Sequence, residues 1–401
     1  MLMTTNILLT DMKRYTLFTL LSAAIATGGC TEELQPQTCG TNGTVPDESE
    51  LTEAVLNLSV NAFVVEAQAE TRASIPSGTP EKETPEEKEI HNIWVFQYDA
   101  ATKELLIKPR YYTITDQAML QDLPVYLKAG VPSVVYVVTN TGYDNWANDG
   151  TDASWQKFKQ LEQLKKQTLP TAFPLRSIDK VSIPMAGASE EVEVTTGITV
   201  TVPVTRMYAK LKVKVEMRKA EMELNNVNVR QIPNICRVET LAGDGKGEPM
   251  EPVPFPDETT FSSIAFAASD LEKNEDKEWA VFYVPENLQG ETQTQGGNKS
   301  DAAPSNALVV DITTEIGGER YLYAAYPGGN SLNNFNIQRN QVYRITVTIT
   351  GEKNQNNPSA NCFVVKPDGF LSFEPYYRVE TGGGYNFADY LSPHDENLKI
   401  A

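Results

Sequence analysis

The chain has 401 residues, 53 of them acidic and 34 basic, for a formal net charge of −19. That length is ample for a buried core, and the negative field argues against nucleic acid as a partner. Two histidines, His91 and His394, and four cysteines without C-x-x-C spacing give no basis for zinc or thioredoxin-type chemistry. The chain also lacks a G-x-S-x-G elbow and a phosphate-loop pattern. No catalytic residue, metal ligand or cofactor is assigned, and the chain is read as a non-enzyme.

Residues 12–30 read MKRYTLFTLLSAAIATGGC. A basic start, a short apolar run and small residues before a cysteine make a secretory signal, too short to span a membrane as a helix. Small residues directly before Cys30 resemble a lipoprotein signal over residues 1–30, which implies Cys30 as the acylated (palmitate-bearing) first mature residue; an ordinary secretory signal with an incidental cysteine is the other reading. Met12 is a plausible true start. Residues 31–50 are polar and form a flexible tether.

Leu56, Leu58, Val60, Ala62 and Val64 alternate with Asn57, Ser59, Asn61 and Phe63, which predicts a strand with one buried face. Residues 66–88 are rich in Glu, Pro, Thr and Ser and predict an exposed, protease-sensitive loop. Strands are predicted at Asn92–Tyr98 and Leu105–Ile114, joined by a turn at Asp99–Lys103. Val131–Asn140 is nearly continuous in apolar residues, fit for burial on both faces. Trp155, Phe158, Leu161 and Leu164 recur at helical spacing and predict one helix over Ser154–Lys166. The loop Asp144–Asp152 holds several oxygen ligands, but its composition reads better as turns than as a calcium site.

Further strands are predicted at Val192–Val204, Tyr208–Met217, Trp279–Val284, Ala307–Thr313, Tyr321–Tyr326 and Val342–Thr350. In Tyr208–Met217 the lysines are expected opposite the buried face. Short strands between Gly and Pro turns point to a mainly β chain of two sandwiches with a boundary near residue 205 and a short helix in the first. Cys236 and Cys362 are either free buried thiols or a pair.

Several pieces in order resemble the fimbrillin family, the type V pilins of Bacteroidales. They are ETRAS (70–74), IPMAG (183–187), VTRMYAKLKVKV (204–215), FYVPENLQG (282–290), FNIQRNQVYRITVTITG (335–351) and ANCFVV (360–365). The resemblance implies two tandem transthyretin-like β-sandwiches, 51–205 and 206–375, followed by a tail, 376–401. It implies a lipoprotein precursor on the outer membrane and an arginine-specific surface protease cutting after Arg72, so that Ala73 becomes the new N-terminus. The strand carrying Leu56, Leu58, Val60, Ala62 and Val64 would depart, and a strand of another pilin subunit would replace it. Taking away an edge strand exposes backbone donors, acceptors and apolar pockets. Five exchanged apolar side chains at about 1.5–3 kcal/mol each would give a joint of roughly 7–15 kcal/mol before binding costs.

The tail is a poor donor strand: Tyr376, Tyr377 and Val379 could start one, but Gly382–Gly384 breaks it. This favours an accessory or tip subunit of an adhesive fimbria over a stalk subunit, with a truncated third domain as the other reading. The FYVPEN and RNQVYRITVTITG pieces also resemble accessory or tip-type subunits. The competing reading is an outer-membrane surface lipoprotein that binds glycan or host protein without polymerising, with Tyr143 and Trp146 as its aromatic candidates.

Overall fold

The computed structural model describes residues 51–65, 83–142, 144–147, 152–171, 176–177, 182–217, 220–239, 251–271, 273, 278–292, 299–329, 333–349, 361–367 and 376–379. The first strands are β1 (Leu51–Val60), β2 (Val64–Val65), β3 (Asn92–Asp99), β4 (Arg110–Thr113), β5 (Leu123–Lys128) and β6 (Pro132–Thr139). Two short helices follow, α1 (Asp152–Gln156) and α2 (Leu161–Lys165). Next come β7 (Thr168–Pro170), β8 (Met185–Ala188), β9 (Val192–Glu193), β10 (Thr199–Arg206), β11 (Tyr208–Met217), β12 (Glu223–Pro233), β13 (Ile235–Arg237) and β14 (Phe261–Ala267). After α3 (Ala268–Leu271) the chain continues through β15 (Ala280–Pro285), β16 (Val309–Ile316), β17 (Glu319–Ala325), β18 (Gln341–Ile349), β19 (Asn361–Pro367) and β20 (Tyr376–Val379).

The fold is mainly β, of the sandwich type. An eight-stranded sheet runs β4-β3-β6-β8-β10-β1-β5, with β9 beside β6. A six-stranded sheet runs β15-β11-β18-β19-β20, with β2 beside β18, and a four-stranded sheet runs β14-β12-β16-β17. Neighbouring β3 and β6 bury both faces, which explains the continuous apolar run of β6. On one face Ile93, Val95, Val135 and Val137 join Leu56 and Leu58 in one core. On the other, Trp94, Phe96, Tyr136 and Val138 join a second core that includes Leu211 of β11, Val229 of β12 and Phe282 of β15.

Five details depart from the sequence reading. The helix expected over Ser154–Lys166 is two short ones. Gln160 takes an extended backbone, φ −113°, ψ 142°, because residues 159–161 pair with residues 103–105: Leu105 N–H donates to Lys159 O at 2.9 Å and Leu161 N–H to Lys103 O at 3.0 Å. The four apolar residues still point inward, as expected. The long strand expected at Leu105–Ile114 is ordered as a strand only at β4, and Val192–Val204 is interrupted between β9 and β10. Residues 83–88 are not loop throughout: they include a turn of 3-10 helix, Pro85–Lys88, in which Pro85, Glu86 and Lys88 are exposed but Glu87 is only 2% exposed. Finally, Lys210 on β11 does not face solvent; it is 5% exposed.

Candidate functional site

β1 follows from its alternation. Ala54, Leu56 and Leu58 are all buried, with Asn57 and Ser59 turned outward. Its position corrects the expectation of an edge strand. Val55–Val60 pairs in parallel with Val200 and its neighbours in β10, and Leu51–Leu56 pairs antiparallel with β5. Removing β1 would therefore open a slot inside the sheet, between β10 and β5, lined by both strands. The strand also begins and ends earlier than the alternation suggested. Leu56, Leu58 and Val60 lie on it, Ala62 lies in the connection after it, and Val64 starts β2, which pairs in parallel with Gln341–Val342 of β18. The two fully buried leucines carry about 3–6 kcal/mol of apolar burial, less than the five-residue estimate.

Residues 61–63 connect β1 to β2, and this connection is held by a buried charge cluster. Arg206, the last residue of β10, follows Val202 and Val204 in inward phase and is 0% exposed. Its Nη1 donates to Asn61 O at 2.7 Å and to Asn340 Oδ1 at 3.1 Å. Its Nε donates to Glu87 O at 2.8 Å, and its Nη2 lies 2.8 Å from Glu83 Oε1. The guanidinium sits over the Phe63 ring, 4.1 Å from its centroid, a cation–π contact strengthened by exclusion of water. Asn340 holds the left-handed backbone, φ 57°, which asparagine tolerates, and its Nδ2 donates to Ala62 O at 2.7 Å.

Around this centre, Phe63 N–H donates to Glu83 Oε1 at 2.8 Å. Lys210 Nζ lies 2.7 Å from Glu87 Oε1, and the Tyr283 hydroxyl donates to the same oxygen at 2.6 Å. The buried members balance in formal charge, Arg206 and Lys210 against Glu83 and Glu87, as burial demands, while half-exposed Lys88 adds a pairing to Glu83 from the solvent side. Burial lowers the Arg206 pKa, partly opposed by the Glu83 and Glu87 carboxylates. Burial would raise Glu83, but its bonds to Lys88 and the Phe63 N–H and the charge of Arg206 outweigh that and hold it below its ordinary value. Burial, with the Glu87 charge, drives the Tyr283 hydroxyl far above its ordinary range, so it stays protonated and donates.

The quoted motifs converge here and just beyond. Asn287 and Ile337 exchange two backbone hydrogen bonds of 2.8 Å, joining FYVPEN to FNIQRN. Arg339 grips Glu286 in a fork, at 3.1 and 2.9 Å, and donates to the carbonyls of Val238 and Arg237. Burial opposes charge on Arg339, but the Glu286 carboxylate prevails and raises its pKa. In IPMAG, a Cβ on Gly187 would lie 1.8 Å from Pro203 O, so only glycine lets β8 pack against β10.

Cys30, Arg72, Ala73 and the tail beyond Val379 lie outside the described residues, as does Tyr143. Trp146 is partly buried and packed edge-on against Phe96 and Phe158, at 6.1 and 5.1 Å between centroids. Cys236 is a free, buried thiol beside Met207 Sδ. Among the described residues no cluster could hold a metal ion, and no helix is long and apolar enough to cross a membrane. Sequence reasoning missed the charge cluster. The available signal was Arg206 itself, an arginine in phase with two inward valines.

A protein-family model described as "Domain of unknown function (DUF4906)" matches residues 282–347. No curated protein matches this sequence. Solved structures similar to this chain include the tip fimbrial protein Mfa3 from Porphyromonas gingivalis with C-terminal truncation, at 14% identity and TM-score 0.46, covering 79% of this chain and 98% of that one. A fimbrial assembly protein from Parabacteroides distasonis is similar at 13% identity and TM-score 0.42, covering 81% and 99%. The fimbrial anchor protein Mfa2 from Porphyromonas gingivalis is similar at 12% identity and TM-score 0.38, covering 81% and 99%.

Proposed function

We propose that this chain is a structural subunit of a cell-surface fimbria of the fimbrillin type, built of tandem sandwiches over 51–205 and 206–375, accessory or tip in position, and serving adhesion. It reaches the outer membrane through a lipid on Cys30. An arginine-specific surface protease then cuts between Arg72 and Ala73, β1 departs, and a strand of another subunit takes its place.

The observation that carries this reading is the position of β1. With the two-residue β2 it lies N-terminal to the acidic segment holding Arg72, and it is paired on both sides inside a sheet. Its loss would leave β10 and β5 with unpaired ladder groups and an apolar floor, a template for strand addition. The resemblance of the ordered motifs supplies the protease and the partner.

The test is the N-terminus of the protein isolated from the cell surface, with assembly of an Arg72→Ala precursor measured beside it. The expected outcome is a mature chain starting at Ala73 and a variant that stays monomeric. A chain that keeps lipidated Cys30, or a variant that polymerises like wild type, would overturn the proposal.

A further inference from the structure

The cluster around Arg206 touches both sides of the segment that the proposed cut would sever. Upstream, Arg206 and Asn340 take the carbonyl oxygens of Asn61 and Ala62, and Phe63 lies under the guanidinium. Downstream, the same guanidinium takes Glu87 O and the Glu83 carboxylate. A chain opened between residues 65 and 83 therefore keeps both new arms on one side chain. The upstream contacts are mostly to main-chain oxygens, so they read the path of the backbone rather than its side chains. They sit where the β1–β10 ladder ends, with Val60 opposite Val204 and Asn61 N–H donating to Val204 O at 2.9 Å.

A fully buried arginine is a costly way to fill this space. Well-packed apolar residues often do as well or better for stability, so stability alone does not account for a buried charge network. The geometry enforced here is the seating of the end of β1.

We infer that Arg206 and Asn340 form a binding site for the severed N-terminal strand, a clamp on the carbonyls of residues 61 and 62 that retains β1 after the chain is cut. This rests on the proposed strand exchange and adds its control. Cutting arms the subunit, and the slot opens only when the clamp lets go. A nicked subunit then travels as a closed, non-aggregating complex until an incoming strand competes for the sheet.

The experiment uses the full-length chain with residues 74–80 replaced by the recognition sequence of a sequence-specific protease, so that cutting does not depend on Arg72. After cutting, the N-terminal fragment is followed by native mass spectrometry while excess labelled synthetic peptide of residues 51–65 competes for the slot. Two clamp variants are compared. Arg206→Lys keeps the charge but not the fork of donors, and Asn340→Gly removes the side chain while keeping the left-handed backbone.

The expected result is a fragment retained by the unaltered clamp and exchanged at least about tenfold faster in each variant that folds. Asn340→Gly decides the matter if Arg206→Lys does not fold. Equal exchange rates in unaltered and variant clamps, or immediate loss of the fragment from the unaltered clamp, would overturn the inference. If the fragment behaves as expected but the emptied subunit never polymerises, the clamp stands and the assembly reading falls.

Discussion

Glu83 shows how one residue can be isolated within a buried network. Its carboxyl is held below the ordinary 4.5, so the folded state binds its proton less readily than the unfolded chain does. The stabilisation is fully present above about pH 4.5 and is lost as the pH falls through the lower, folded value. Glu83→Gln should cost about 3 kcal/mol near pH 7, because Arg206 keeps its buried charge with one carboxylate fewer. That deficit should shrink on acidification below the folded value, where wild type also carries a neutral side chain. Denaturant melts at pH 7 and at acid pH measure this, and a deficit independent of pH would refute it. Cys236 gives a second test at this scale. Burial pushes its thiol up to about 12, so almost none is thiolate at pH 8. An alkylating reagent at pH 8 should leave Cys236 unmodified in the folded protein and modify it after unfolding, as read by peptide mapping. Rapid native modification would contradict the burial.

At the scale of elements, β8 gives the sharpest test. Gly187 lies opposite Val137 of β6, with Pro203 and Val204 of β10 against its Cα. An added methyl would meet backbone, which cannot rotate aside. Gly187→Ala should lower stability by about 2 kcal/mol or more, measured by thermal and denaturant unfolding. A neutral effect would mean the two strands do not approach as described. The elements also show what the sequence made legible. β1, β3, β6, β11 and β18 were readable because Leu, Val, Ile or aromatic residues mark the buried face at a period of two or without a break. β12 was not read, because its Val227 and Val229 alternate with Asn226 and Asn228 in a stretch of low overall hydrophobicity. The broken helix was beyond local periodicity, since the break is imposed by residues 103–105, more than fifty positions away. The same holds for the charge cluster. Nothing in the acidic stretch around Glu83 and Glu87 sets them apart from their exposed neighbours until Arg206 and Lys210 are brought beside them.

For the molecule as a whole, the arrangement of the cores decides how it unfolds. β3 and β6 give one face to the core that holds Leu56 and Leu58 and the other to the core shared with β11, β12 and β15. Phe282 is fully buried on β15, with its ring 5.7 Å from that of Phe266, and it belongs to the same core as Trp94, Phe96 and Tyr98. Loosening one side of that core therefore removes support from the central strands of the eight-stranded sheet, and through them from the floor under β1. Phe282→Ala, worth about 3–5 kcal/mol, should lower hydrogen-exchange protection in β15 and β11 and also in β3 and β6, although the latter are far from it in sequence. If protection fell only in the six-stranded sheet, the two regions would be unfolding independently and the second core would not couple them. Joint loss would mean that, under the proposed strand exchange, the stability of the slot that β1 would leave is set by the entire shared core. An emptied subunit would then be held open by strands that remain folded on their other face, which is what strand replacement without unfolding requires.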